Sequence, residues 1–329
     1  MDDAIKVSVL CTAFNHEAYI RQTLEALTSQ ETSFPYEILV SDDASTDGSL
    51  QVLSDYARRD PRIEVVHLAD NGGQAHARNV GLQRARGRYV CMVDADDWLS
   101  ADALEQLCAA FDAETDCVLF DVVKVYPDGR EEPYPMPAFA TLTGQEAFRL
   151  SLTWQIHGLY GVRLPIHQQY PYDETCRAYS DDNTTRLHYL ASRRVSRCPG
   201  RYYYRQHAAS VTHAATVRRF DYLLANESMR RQMLEQNVEP ALIDLYENHR
   251  WLNLVDVYMF YHVHGHELPA ADRRYGLSLL HHTWATIDRR ALRKETTAKF
   301  GYRPCSSWAL FRLQEWLYFT LRGLLGRNS

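Results

Sequence analysis

The sequence predicts an α/β protein, a mostly parallel sheet flanked by helices and followed by a helical C-terminal subdomain. Three observations carry that expectation. Over the first 125 residues, short β-branched apolar runs alternate with segments of helical period, the pattern of strand–helix units that build parallel sheets. Each apolar run ends in a polar cluster, and open α/β sheets bind their ligands beyond the carboxyl ends of their strands. From about residue 216 apolar residues recur at three- and four-residue spacing, the period of helices.

The elements follow in order. "KVSVLCTAF" (6–14) reads as a strand buried on both faces, after which Asn15 is placed to cap a helix through Ile20, Leu24 and Leu27. "YEILVS" (36–41) is a second strand, followed by "DDASTDGS" and a helix to about Arg59. "RIEVVHL" (62–68) is a third, leading through the Gly-rich turn "ADNGGQ" into the helix "AHARNVGLQRAR". "RYVCMV" (88–93) is the fourth, with a helix over 100–111. Residues 115–215 read as a mixed continuation opening on the strand "CVLFDVVKVY", and a boundary is expected near 215. The helical remainder, 216–329, is an oligomerising or membrane-interfacial candidate.

Bulk properties exclude several classes. A net charge of −6 and a pI near 6.2 argue against a nucleic-acid partner. Seven cysteines without a CxxC pair predict a reducing, cytoplasmic setting and no zinc site. The acidic start leads straight into a strand, unlike a signal peptide, and no window has the continuous apolar length of a membrane span. The "YHVHGHE" stretch (261–267) reads as a helix end rather than a metal site, because Gly265 and Pro269 close the helix and alternate histidines share no face.

The fourth strand ends in "VDADDW", with Asp94, Asp96 and Asp97 crowded at its tip. Two such charges about 5 Å apart repel by roughly 3 kcal/mol at an effective dielectric near 20. Helix capping explains one aspartate. A hard divalent cation explains the cluster, since Mg²⁺ is held by one or two carboxylates together with substrate phosphates.

"VSVLCTAFNHEAYIRQTLEAL", "YEILVSDDASTDGS", "NGGQAHARNVGLQRARGRYVCMVDADD" and "YSDDNTTR" together resemble the successive motifs of family 2 glycosyltransferases, which have the GT-A fold, across about residues 5–215. The resemblance implies a catalytic domain over 1–215, with nucleotide-sugar binding in about 1–114 and the acceptor side in about 115–215. It implies an inverting transfer from a nucleotide sugar, with uridine as the expected base, to a glycan or lipid-linked acceptor, as in capsule or lipopolysaccharide assembly. The cofactor would be Mn²⁺ or Mg²⁺. Thr12, Asn15, Asp42, Asp43, Asn71 and Arg78 match positions around the base and ribose, with the choice between Asp42 and Asp43 open. Asp94 would face the ribose, Asp96 the metal, and Asp97 a supporting role or the cap of the next helix. Asp182, second of an acidic pair, matches the base. The family usually has Glu-Asp there, and the shorter Asp181 leaves that residue's role open. Arg205, His207 and Ser210 are candidates for the diphosphate or a third metal ligand, and Trp154, His157 and Tyr160 for the acceptor side.

Two rivals stand beside this reading. A sugar-phosphate nucleotidyltransferase would carry a Gly-rich basic loop after the first strand, where "CTAFNHEAYI" stands. A non-catalytic glycan-binding protein would not need Asp94, Asp96 and Asp182 together. The C-terminal "SSWALFRLQEWLYFTLRGLLGRNS" (306–329) reads as an amphipathic helix for a membrane interface, making the protein peripheral at the inner face, or else for its own core or a homo-oligomer.

Overall fold

A computed structural model describes residues 4–176, 178–207 and 216–326 of the chain, which divides into two compact units, 1–210 and 211–329. The first unit opens with β1 (Val7–Ala13), α1 (Ile20–Thr28), β2 (Tyr36–Asp42), α2 (Ser49–Ala57), β3 (Ile63–His67), α3 (Gln74–Leu82) and β4 (Tyr89–Asp94). It continues with β5 (Trp98–Leu99), α4 (Ala103–Ala109), β6 (Thr115–Val125), β7 (Glu131–Pro133) and β8 (Thr141–Thr143). It closes with α5 (Gly144–Ser151), β9 (Tyr160–Arg163), α6 (Leu164–Gln169), α7 (Ser180–Ala191) and β10 (Arg194–Arg205).

Every residue of β1 and β2 is buried, which is why both read as near-continuous apolar runs. The strand order is β3-β2-β1-β4-β9-β6-β10-β5. Strands β1 to β4 are mutually parallel, while β9 inserts antiparallel between β4 and β6. β10 then runs parallel to β6 and antiparallel to β5. The sheet is therefore a parallel half joined to a mixed half. Register sets the rim: Thr12 lies opposite Asp94, Ala13 opposite Asp42, and Asp42 opposite His67. The ends of four strands thus stand at one level.

Two local expectations are corrected. Asn15 does not cap α1, whose first turn has no side-chain cap; it adopts a left-handed conformation (φ 57°), and its Oδ1 accepts the Thr46 and Asp47 amides. Trp98 and Leu99, just ahead of the expected helix, form β5 against β10, and that helix starts at Ala103, so Asp97 caps nothing.

The second unit is helical: α8 (Asp221–Glu235), α9 (Pro240–His264), α10 (Ala270–Thr286), α11 (Lys294–Thr297) and α12 (Trp308–Leu324). Trp251, Leu254, Tyr258, Leu280, Phe311 and Phe319 meet in its core. The His-rich stretch is the end of α9, where His262 packs on Phe319, and α10 begins after Pro269. No helix among the described residues is long and apolar enough to cross a membrane.

One core position is polar. Glu315 of α12 is fully buried, accepts from Gln314 Nε2 at 3.2 Å, and leaves Oε2 without a partner among the described residues. Burial pushes its carboxyl up to about 8, and the ionisable groups facing it are Tyr258, Tyr302 and Cys305. The folded state therefore holds a proton that the unfolded chain has lost above the ordinary glutamate range. Stability falls as pH rises toward 8 and levels off beyond it. Thermal melts between pH 5 and 8.5 should show that decline, and Glu315→Gln should flatten it and raise the melting temperature at pH 8. An unchanged slope in the variant would disprove the assignment.

Candidate active site

Asp94 ends β4, and the Asp97 amide turns back to the Asp94 carbonyl at 3.0 Å. The Asp94 carboxylate accepts from the Arg78 guanidinium at 2.8 Å, and the same guanidinium reaches Asp181 at 3.0 Å. Arg78 is 3% exposed and lies over the Tyr172 ring, so it is not the solvent-facing residue that a helix interior would suggest. Burial opposes its charge, but Asp94 and Asp181 together keep it firmly protonated. Burial, opposed by Arg78 and reinforced by Asp96, pushes the Asp94 carboxyl upward.

Asp97 turns inward. It accepts the Tyr202 hydroxyl at 2.9 Å and the Arg205 amide at 2.8 Å, and burial with the charges of Asp94 and Asp96 pushes it well above the usual carboxylate range. Asp96 remains at the rim. Its Oδ2 lies 2.9 Å from His207 Nε2, and the His207 ring stacks on Tyr19. Arg205 donates to the Asp96 carbonyl and to Gln22, with its guanidinium near the rings of Tyr19 and Trp98. Ser210 lies outside the described residues.

At the ends of β1 and β2, Thr12 is buried beside Asp94 in register. Asp42 is fully buried, pairs with His67 Nδ1 at 2.7 Å and accepts the Ser45 amide at 3.3 Å. Asp43 accepts the Gly72 and Gly73 amides at 2.7 and 2.9 Å, and Asn71 donates to the Asp43 carbonyl. Gly73 sits at φ 87°, a conformation that only glycine adopts without strain. Both aspartates thus shape their loops. Asp42 keeps one oxygen unpartnered among the described residues.

The acidic pair sits in the first turn of α7, entered through Tyr179 at φ 63°. Asp182 is pushed up to about 7, by burial first, with Asp181 adding to it and Arg186 and Arg78 opposing. Its charge is also felt at Tyr134. On the expected acceptor side, His157 is buried against Tyr134, with its ring pushed down to about 3 by desolvation. The Tyr160 hydroxyl bonds His188, and Trp154, itself left-handed, lies under Arg186. These contacts are those of packing residues.

Among the described residues no three His, Cys, Asp or Glu side chains gather into a metal-binding group. A divalent cation that arrives with a diphosphate needs fewer protein ligands. Asp96 at the rim and a His207 whose Nδ1 is buried without a partner among the described residues fit such a shared site. Sequence reasoning missed Tyr19, Gln22, Tyr172 and Tyr202, which hold this machinery. Only the alternation in "RYYYR" (201–205), which sends Tyr202 inward, could have pointed to one of them.

The model of the family described as "Glycosyl transferase family 2" matches residues 8–170, which takes in the strand ends, Arg78, Asp94 and Asp96. The chain belongs to that family. This family 2 chain is 37% identical over 122 residues to EpsH of Bacillus subtilis, a protein named as a glycosyltransferase, covering 37% of this chain and 35% of that one. It is 31% identical over 209 residues to the poly(ribitol-phosphate) beta-N-acetylglucosaminyltransferase TarS of Staphylococcus aureus, covering 61% of this chain and 35% of TarS. The chain thus spans about a third of the length of these curated relatives. The crystal structure of S. aureus TarS 1–349 in complex with UDP-GlcNAc superposes with a TM-score of 0.70 at 21% identity, covering 98% of this chain and 93% of that one. The likeness shows a shared GT-A fold.

If the Arg78 bridge holds the rim together, Arg78→Met should lower stability by roughly 1–3 kcal/mol. The figure is discounted because both carboxylates are partly exposed. Pairing it with Asp181→Asn should recover part of the loss in urea unfolding. Additive losses in that double variant would count against the bridge.

Proposed function

We propose that the protein is an inverting glycosyltransferase that moves a sugar from a UDP-linked donor to a hydroxyl of a glycan or lipid-linked acceptor. The observation that carries this reading is the linkage of the two halves of the rim. Arg78 joins Asp94, on the donor side, to Asp181, the neighbour of Asp182. Asp94 faces the ribose, with Arg78 fixing its orientation. Thr12, Asn15, Asp42, Asp43 and Asn71 surround the nucleotide, and Arg205 and His207 flank the diphosphate. Mn²⁺ or Mg²⁺ would be held by Asp96, with His207 beside it, and when bound supplies Lewis acidity to the departing diphosphate.

Asp182 takes the proton of the acceptor hydroxyl. The oxygen attacks the anomeric carbon as the bond to the diphosphate breaks on the opposite face, and a single displacement of this kind inverts the centre. A carboxyl held near 7 suits the task, because a general base works best with a pKa close to the operating pH. The acceptor would be met at the inner face of a membrane, with 306–329 as the contact.

Hydrolysis of a panel of nucleotide sugars with Mn²⁺ should single out uridine donors. Failure of every donor, with or without a lipid-linked acceptor, would overturn the reading. Transfer kcat/KM should rise with pH through about 7 and level off above it, because the working form of Asp182 is the deprotonated one. Asp182→Asn should lower turnover by about two to four decades and remove that rising limb, while donor binding by calorimetry is unchanged. Surviving turnover would exclude Asp182 as the base.

A further inference from the structure

Helix α12 is apolar on two opposite faces. Phe311, Glu315 and Phe319, each four residues from the next, are buried in the second unit. Leu310, Leu313, Leu317, Leu321 and Leu324 recur at three- or four-residue spacing on the other side and are exposed, Leu321 to 55% and Leu324 to 80%. A helix hydrophobic all round belongs in a core or in lipid, and a contiguous exposed apolar stripe marks a contact surface.

What covers the stripe is indicated by the charges around it. Within 306–329 the basic residues are Arg312, Arg322 and Arg327, the last outside the described residues. The single acidic residue there is Glu315, which points into the core. Beside the stripe opens a cleft of about 590 Å³, within the range of small-ligand sites. Leu313 belongs to both features, and the exposed Trp316 lines the cleft beside it. The cleft is also lined by Arg312 of α12, by Tyr261 of α9, by His266 and by Arg273 of α10, and no lining residue is acidic. The nearest carboxylate to His266 is that of Glu267, at 3.7 Å.

A second copy of the chain laid symmetrically across this face would set arginine against arginine. An anionic lipid surface meets both features at once, the leucines entering the boundary of headgroups and acyl chains and the arginines taking phosphates. We propose that the leucine face of α12 and the adjoining cleft dock the protein on anionic membrane lipid, with Arg273 and Arg312 binding lipid phosphate groups. This rests on the reading of 306–329 as a membrane contact and adds the lipid class and the residues that select it. The net charge of −6 opposes any general attraction to such a surface, so binding depends on this local patch.

Sedimentation of the full chain with vesicles tests this, using phosphatidylcholine alone or mixed with phosphatidylglycerol. The protein should bind the mixed vesicles at least about tenfold more tightly than the neutral ones. Arg273→Gln with Arg312→Gln should reduce that binding to the neutral level. Leu317→Ser with Leu321→Ser should abolish it on both vesicles. These side chains are exposed, and unaltered thermal melts and donor binding would show that the variants fold. Inorganic phosphate at millimolar concentration should not displace the protein, and displacement would mean that the cleft takes free phosphate instead. Equal binding to the two vesicles would overturn the lipid selectivity, and absence of binding the whole proposal. Self-association that the leucine changes abolish would show a second copy as the occupant. Vesicle binding by a chain that hydrolyses no nucleotide sugar would leave the docking standing and remove the glycosyl-transfer reading instead.

Discussion

One guanidinium holds the two halves of the site together. Arg78 comes from α3, Asp94 from the end of β4, and Asp181 from the first turn of α7, three elements separated by as much as a hundred residues of sequence. A buried arginine is tolerable only when its charge is matched, and here neither carboxylate alone serves both of its terminal nitrogens. The converse also holds. Asp94, Asp96, Asp181 and Asp182 gather at the rim with Asp97 buried behind them, and any two such charges as close as about 5 Å would repel by about 3 kcal/mol at an effective dielectric near 20. Arg78 relieves two of them, the His207 imidazole contacts a third, and Tyr202 with the Arg205 amide satisfies a fourth. Among the described residues neither Asp97 nor Asp182 has a cation in direct contact, and burial lifts both carboxyls accordingly.

The backbone around this rim is held in conformations that cost energy. Asn15, Ala44 and Tyr179 are left-handed without being glycine; Asn15 is itself a candidate residue, Ala44 follows Asp43, and Tyr179 stands two residues before Asp181. Strain of this kind, of order 1 kcal/mol or more per residue, persists where the surroundings over-determine it. The surroundings here do so. Asn15 is fixed by the Thr46 and Asp47 amides, and the loop after Ala44 by the Asp42 carboxylate on Ser45. These loops are held by their own hydrogen bonds, so little ordering would oppose the nucleotide binding proposed above.

The strand–helix alternation and the convergence of polar strand ends were legible because they depend on local pattern: period, burial on both faces, and the rule that ligands gather at strand ends. The antiparallel insertion of β9 was not, since four residues with no turn signature of their own pair with two strands distant in sequence. Nor was the choice left open for Asp97, between a supporting role and a helix cap. Its capping role is a local inference, and what overrides it is a tertiary contact with Tyr202, over a hundred residues away. Arg78 shows the same limit. At the surface of an isolated helix it is one exposed cation among several, and its burial follows only from where Asp94, Asp181 and Tyr172 come to lie.

The acidic pair of α7 shows how neighbours divide labour. Asp181 replaces the glutamate more usual at this place, and the loss of a methylene would be expected to cost reach. It does not, because the first turn of α7 brings the shorter side chain to 3.0 Å from the Arg78 guanidinium. That contact ties Asp181 up as a counter-ion. Asp182, one residue on, projects about 100° around the helix into a region shaped by Tyr134 and Arg186, where burial outweighs the pull of the nearby cations. Two adjacent carboxyls of identical chemistry are thereby separated by environment alone, one spent on architecture and the other left with the proton affinity that a base at neutral pH requires.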